Sequence, residues 1–152
     1  MLIIAILAAC CKTNGQGLPL GVLLKLTVMS NDDATKYITQ TQKFAVIHSK
    51  YINDKNILQF EKGGGAANAM IIKTSFRGTD NKPFLTLHYE DRRNKKFIDT
   101  LFAQLQQARF KCISKEADNL KKNWVFKKDD YIVTIYTFPD KILSWEVEIH
   151  EH

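Results

Sequence analysis

Two stretches of this chain lying 66 residues apart carry the same landmarks, and that internal echo constrains the fold more than any other feature. Sliding Phe44 to Lys62 onto Phe110 to Lys128 matches Phe44 with Phe110, Ile47 with Ile113, Asn53 with Asn119, Lys55 with Lys121, Phe60 with Phe126 and Lys62 with Lys128. Six identities in 19 positions exceed the roughly one expected from average composition. The order of predicted elements repeats as well: a helix, a short strand, a second strand, a turn, a third strand, a turn and a last strand. The reading is an α+β fold made of a duplicated αβββ unit, with the short strand after each helix as a fourth. One antiparallel sheet of about six to eight strands carries two helices on one face.

The helices are read from caps and spacing. Ser30-Asn31-Asp32-Asp33 looks like an N-cap followed by acidic residues that suit the positive end of a helix dipole, and a short helix to about Gln42 follows. Asn94 to Arg109 is the stronger helix, with Phe97, Ile98, Leu101, Phe102, Leu105 and Ala108 on one stripe. Val22 to Met29, rich in aliphatic and β-branched residues, reads as a strand. Leu85, Leu87 and Tyr89 alternate with Thr86, His88 and Glu90 in one last strand, and Leu143, Trp145, Val147 and Ile149 with Ser144, Glu146 and Glu148 in the other. Such alternation marks a half-buried strand, so one sheet face meets the core and the other is left for water or a partner. Residues 1–21 are expected to be leader and tether, and residues 22–152 a single domain with pseudo-repeats over about 31–90 and 94–149. Apolar content of 45% and aromatic content of 11% exclude a disordered chain.

What the repeats do not share marks candidate sites. The first unit has Gly63, Gly64 and Gly65 in a connection four residues longer than its counterpart, and three glycines can present backbone amides to an anion or admit a partner closely. This run lacks the Gly-Lys-Ser/Thr ending of a phosphate-binding loop. Arg92, Arg93, Lys95 and Lys96 crowd the start of the second helix, where the dipole favours acids, and form a candidate site for a phosphate, a carboxylate or an acidic partner loop.

No catalytic constellation is assigned. His48, His88, His150 and His152 fall in no zinc or nucleophile motif, and no cofactor or metal is called for. If the two last strands are neighbours, His88 and Glu90 meet Glu146 and Glu148 on the outward side, an arrangement able to move protons. Cys112 aligns with Val46 on the side of Phe44 and Phe110 and is expected to pack as a small buried hydrophobe. Trp124 and Phe126 lie among basic residues, but the strand pattern assigns both to the core, which argues against nucleic acid as the partner.

The chain begins Met-Leu-Ile-Ile-Ala-Ile-Leu-Ala-Ala-Cys. Leu7-Ala8-Ala9-Cys10 resembles the bacterial lipoprotein signal, an apolar stretch ending in small residues and a cysteine that is lipidated. The apolar run is far below the roughly 20 residues of a spanning helix and fits a secretory leader, although no Lys or Arg precedes it. The resemblance implies lipidation at Cys10 and an exported protein, a periplasmic or outer-membrane lipoprotein touching the membrane only through its anchor. A cut after Gly15 or Gln16 instead gives a secreted form. With the anchor, Cys11 and Cys112 are both retained and are candidates for a pair. A net charge of +6 favours an envelope protein or an acidic surface as partner. The leading expectation is a non-catalytic envelope domain binding a protein, peptide or polyanion. The alternatives are an inhibitor or immunity-type protein blocking an exported enzyme, and a small hydrolase using His88 and the outward glutamates.

Overall fold

A computed structural model describes residues 17–62, 68–76, 83–90, 95–138 and 144–151. The elements run α1 (Leu20–Val28), α2 (Asn31–Thr41), β1 (Ala45–Ile52), β2 (Lys55–Lys62), β3 (Asn68–Phe76), β4 (Phe84–Glu90), α3 (Lys95–Gln107), β5 (Lys111–Ala117), β6 (Lys122–Lys128), β7 (Tyr131–Phe138) and β8 (Ser144–Glu151). The eight strands of the described residues form one antiparallel sheet in the order β1-β2-β3-β4-β8-β7-β6-β5. Among the described residues the fold is therefore α+β with three helices. The two last strands of the sequence pattern, β4 and β8, are neighbours along a central seam.

Register aligns the core residues into ribs across the sheet. One rib runs Leu58, Lys73, Leu85, Ile149, Val133 and Phe126, and the next runs Phe60, Ile71, Leu87, Val147, Ile135 and Trp124. Every apolar member is buried except Trp124, which packs against the cluster from its edge. Period-2 alternation explains the ribs, since paired residues share a face and an apolar set on each strand sums to one continuous layer. Phe44, Phe60, Phe110 and Phe126 all join this core.

Each helix meets the ribs through named contacts. Phe102 of α3 sits edge-on to Trp124 and Phe126, with ring centroids 5.5 and 5.6 Å away. Asn31 at the start of α2 bonds Ser75 of β3 at 3.0 Å. Lys73 of β3 donates to the Thr27 carbonyl of α1 at 2.8 Å. Lys73 is only 1% exposed, and burial lowers its ammonium from the ordinary lysine value to about 8.

The first helix corrects the sequence reading. Val22–Met29 is expected to be a strand, but Leu20–Val28 is helical, with Leu20, Leu23, Leu26 and Thr27 buried on one side. Val22, Leu24, Leu26 and Val28 mimic a period of two, whereas Leu20, Leu23 and Leu26 recur at helical spacing, and short apolar runs satisfy both patterns. Burial against β4 and β8 selects the helix. The expected tether is shorter for the same reason. Leu18 is in the core, Leu20 N donates to Gln104 Oε1 at 2.8 Å, and a Cβ at Gly17 would come within 1.9 Å of the Phe97 ring. Folded structure thus starts before residue 22. The expectation for Cys112 is also corrected. It pairs with Phe126 in register, yet it is exposed, because the outermost strand β5 extends beyond the packed layer.

Local chemistry sets the ends of α2. Ser30 Oγ accepts from Asp33 N at 3.1 Å, and Asp32 and Asp33 occupy the first turn. Ser30→Ala is expected to cost about 1 kcal/mol, read as a lower urea midpoint with an unchanged slope. At its other end Lys43 takes a φ of 60°, and Arg109 takes 63° after α3, so each helix exits through a left-handed residue into a buried phenylalanine. Irregularities in strand pairing fall between Val46 and His48 in β1 and between Cys112 and Ser114 in β5.

Candidate functional site

Alternation leaves a second set of ribs on the side of the sheet opposite the buried core. One runs Gln59, Ile72, Thr86, Glu148, Thr134 and Val125, and beside it runs Ile57, Thr74, Phe84, His150, Ile132 and Lys127. This side is mixed in character. Thr74, Thr86 and Thr134 are nearly covered, while the apolar residues and ionisable groups around them remain half-exposed.

The polar centre is a chain of three side chains on β7 and β8. Tyr136 Oη donates to Glu148 Oε2 at 3.1 Å, and His150 Nε2 stands 3.7 Å from the same oxygen. The Phe84 ring stacks on His150 at a centroid distance of 5.2 Å and contacts Phe76 at 6.1 Å, giving the cluster an apolar flank. Lys121 closes the other flank, its Nζ lying 5.2 Å from the Tyr136 ring centroid.

These contacts reinforce the ordinary protonation states of both groups. His150 beside Glu148 lowers its carboxyl, helped by the Tyr136 hydroxyl and by Lys121, against the opposing effect of partial burial. Burial, followed by the charge and hydrogen bond of Glu148, pushes the Tyr136 phenol up to about 12. At neutral pH Glu148 is a carboxylate acceptor and Tyr136 a protonated donor. Neither is poised near 7, as a general acid or base needs to be.

The sequence-derived candidates are distributed unevenly around this centre. Backbone register sets His88 opposite Glu146 and Thr86 opposite Glu148, so the expected meeting of the two last strands occurs at the seam. Cys10, Cys11, Gly63, Gly64, Gly65, Arg92 and Arg93 lie outside the described residues. Lys95 begins α3, Lys96 is exposed one residue on, and the first turn of this helix holds no acid. Among the described residues no group of three or more His, Cys, Asp or Glu side chains could hold a metal ion. No described helix is long and apolar enough to cross a membrane.

Tyr136 is not singled out by sequence, and Lys121 enters there only as a landmark of the repeat. The signal for Tyr136 is present in Ile132, Thr134 and Tyr136 alternating with the core residues Val133 and Ile135, which puts the phenol on the same side as Glu148 once β7 and β8 are paired. No protein family, curated protein or solved structure matches the chain.

Proposed function

We propose that this chain is a non-catalytic, exported or lipid-anchored envelope domain that recognises a protein, peptide or polyanionic partner through the side of the sheet bearing Tyr136, Glu148 and His150. The observation that carries the reading is the state of the polar centre. A carboxylate kept ionised and a phenol kept protonated form a fixed acceptor–donor pair on a half-exposed, partly aromatic surface, which suits specific recognition better than proton transfer.

In this reading the domain is a duplicated αβββ unit with a fourth strand in each half, and its helices share one face of the sheet. Three pairs of features spaced 66 residues apart support the duplication: the left-handed exits at Lys43 and Arg109, the buried Phe44 and Phe110, and the pairing irregularities after Val46 and Cys112. Contacts from α1, α2 and α3 to Lys73, Ser75, Trp124 and Phe126, which register assigns to one parity, support the shared face. The recognition surface is then the uncovered face, with its polar centre beside the seam between the two units.

The test is capture of the partner from envelope extract by the full chain, followed by titration with the purified partner. Tyr136→Phe and Glu148→Gln are each expected to weaken binding about tenfold while leaving circular dichroism unchanged. Unaltered affinity in both variants would remove this face as the binding surface. Recovery of an exported enzyme whose activity falls on binding would make the domain an inhibitor or immunity-type protein using the same face.

A further inference from the structure

The two outer strands of the sheet are built differently. Edge strands expose unpaired backbone groups, and proteins ordinarily protect them with charge. β5 follows that rule, with Lys115 on the core-side parity and Lys111 and Glu116 on the other. β1 does not. Its sequence Ala-Val-Ile-His-Ser-Lys-Tyr-Ile includes one lysine and no acid, and four of the seven exposed large hydrophobics among the described residues belong to it. Val46, Ile47, Tyr51 and Ile52 are 43%, 52%, 54% and 45% exposed.

We propose that β1 is a docking edge for an extended segment of a partner polypeptide with alternating acidic and apolar side chains, which adds to the sheet as a ninth strand. Alternation along β1 sets the recognition code. Lys50 shares its side of the sheet with His48 and Ile52, paired with Ile57, Gln59 and Lys55, whereas Val46, Ser49 and Tyr51 share the other side with Phe60, Leu58 and Asn56. A partner strand therefore meets the cation Lys50 flanked by Ile52 on one side and Val46 and Tyr51 on the other, while its backbone pairs with β1, the outermost strand at this end among the described residues. Charge complementarity selects this occupant over a second copy of the chain. Each copy carries a net charge of +6, and antiparallel self-pairing centred on Lys50 opposes two lysines. The edge is a surface separate from Tyr136 and Glu148, and the inference stands whether or not that face engages a partner.

The experiment uses the full chain and two synthetic peptides, one alternating glutamate with valine and one alternating lysine with valine. Amide hydrogen exchange is followed by nuclear magnetic resonance. The acidic peptide is expected to slow exchange in β1 and leave β5 unchanged. Lys50→Glu, a change at an exposed site, is expected to weaken the acidic peptide at least tenfold and to reverse the preference in favour of the lysine peptide. Val46→Thr is expected to weaken both peptides by a smaller factor. Equal protection of β5, protection confined to β7 and β8, or an unchanged preference in Lys50→Glu would overturn the proposal. So would a concentration-dependent dimer in sedimentation whose formation protects β1, because a second copy would then be the occupant.

Discussion

Replacing Lys73 with methionine is expected to stabilise the protein at pH 7 and to abolish a rise in stability that the parent shows between about pH 8 and pH 10.5. Lys73 is the one cation in a rib of otherwise apolar residues, 1% exposed, with its Nζ on the Thr27 carbonyl. Burial lowers its folded value from 10.5 to about 8. The sign follows from proton counting. Between those two values the unfolded chain holds a proton that the folded chain has released, so raising pH favours folding; below about pH 8 both states are protonated and the full penalty is present. A shift of this size corresponds to about 3 kcal/mol. Methionine removes the charge at similar volume and gives up the hydrogen bond, which offsets the gain by about 1 kcal/mol. Tyr131 and Tyr136 are raised in the folded state and act oppositely at higher pH, so the quantity to follow is the parent-minus-variant difference in unfolding free energy. A difference that stays flat from pH 7 to 10.5 would show that Lys73 reaches water in the folded protein.

Phe60→Ala and Phe126→Ala are each expected to cost about 3–5 kcal/mol and to lower one common unfolding transition. Both rings are buried, and each belongs to a rib that runs from β2 to β6 through the β4–β8 seam. Removing either leaves a cavity that the paired strands cannot close, and Phe126 also loses its edge-on contact with Phe102. Because the ribs are continuous, damage in either half spreads to the other. Differential scanning calorimetry should give a single peak in both variants, shifted by on the order of 10 °C or more. Two separated peaks would mean that the halves fold independently and that the seam contributes little.

Much of this architecture was legible in the sequence, and the failures have physical causes. Strands facing the core on one side announce themselves by alternation, so β4, β8 and the core positions of β6 were readable. The α3 stripe was readable because 13 residues give enough turns for a helical period to stand out, whereas the nine of α1 do not. Cys112 was misplaced because alternation reports which side a residue faces, not whether anything covers that side at a sheet edge. Lys73 carried no warning at all, since a lysine amid Met70, Ile71 and Ile72 reads as a solvent-facing break in an apolar run. For the candidate site, His88, Glu146 and Glu148 were legible from the pattern of two strands, but their meeting depended on long-range pairing across the seam. Tyr136 entered only once β7 was known to lie beside β8.

The proposed recognition takes place on the side of the sheet carrying Tyr136 and Glu148. Its most direct measurement is site-specific photo-crosslinking in envelope extract, with a benzophenone side chain at Ile132 or Val125 on that side, or at Gln40 or Gln106 on exposed helix positions. One discrete adduct is expected from Ile132 and Val125, none from the helix positions, and the adduct is expected to be lost when Glu148→Gln is added. Adducts from Gln40 or Gln106 with none from Ile132 and Val125 would contradict it.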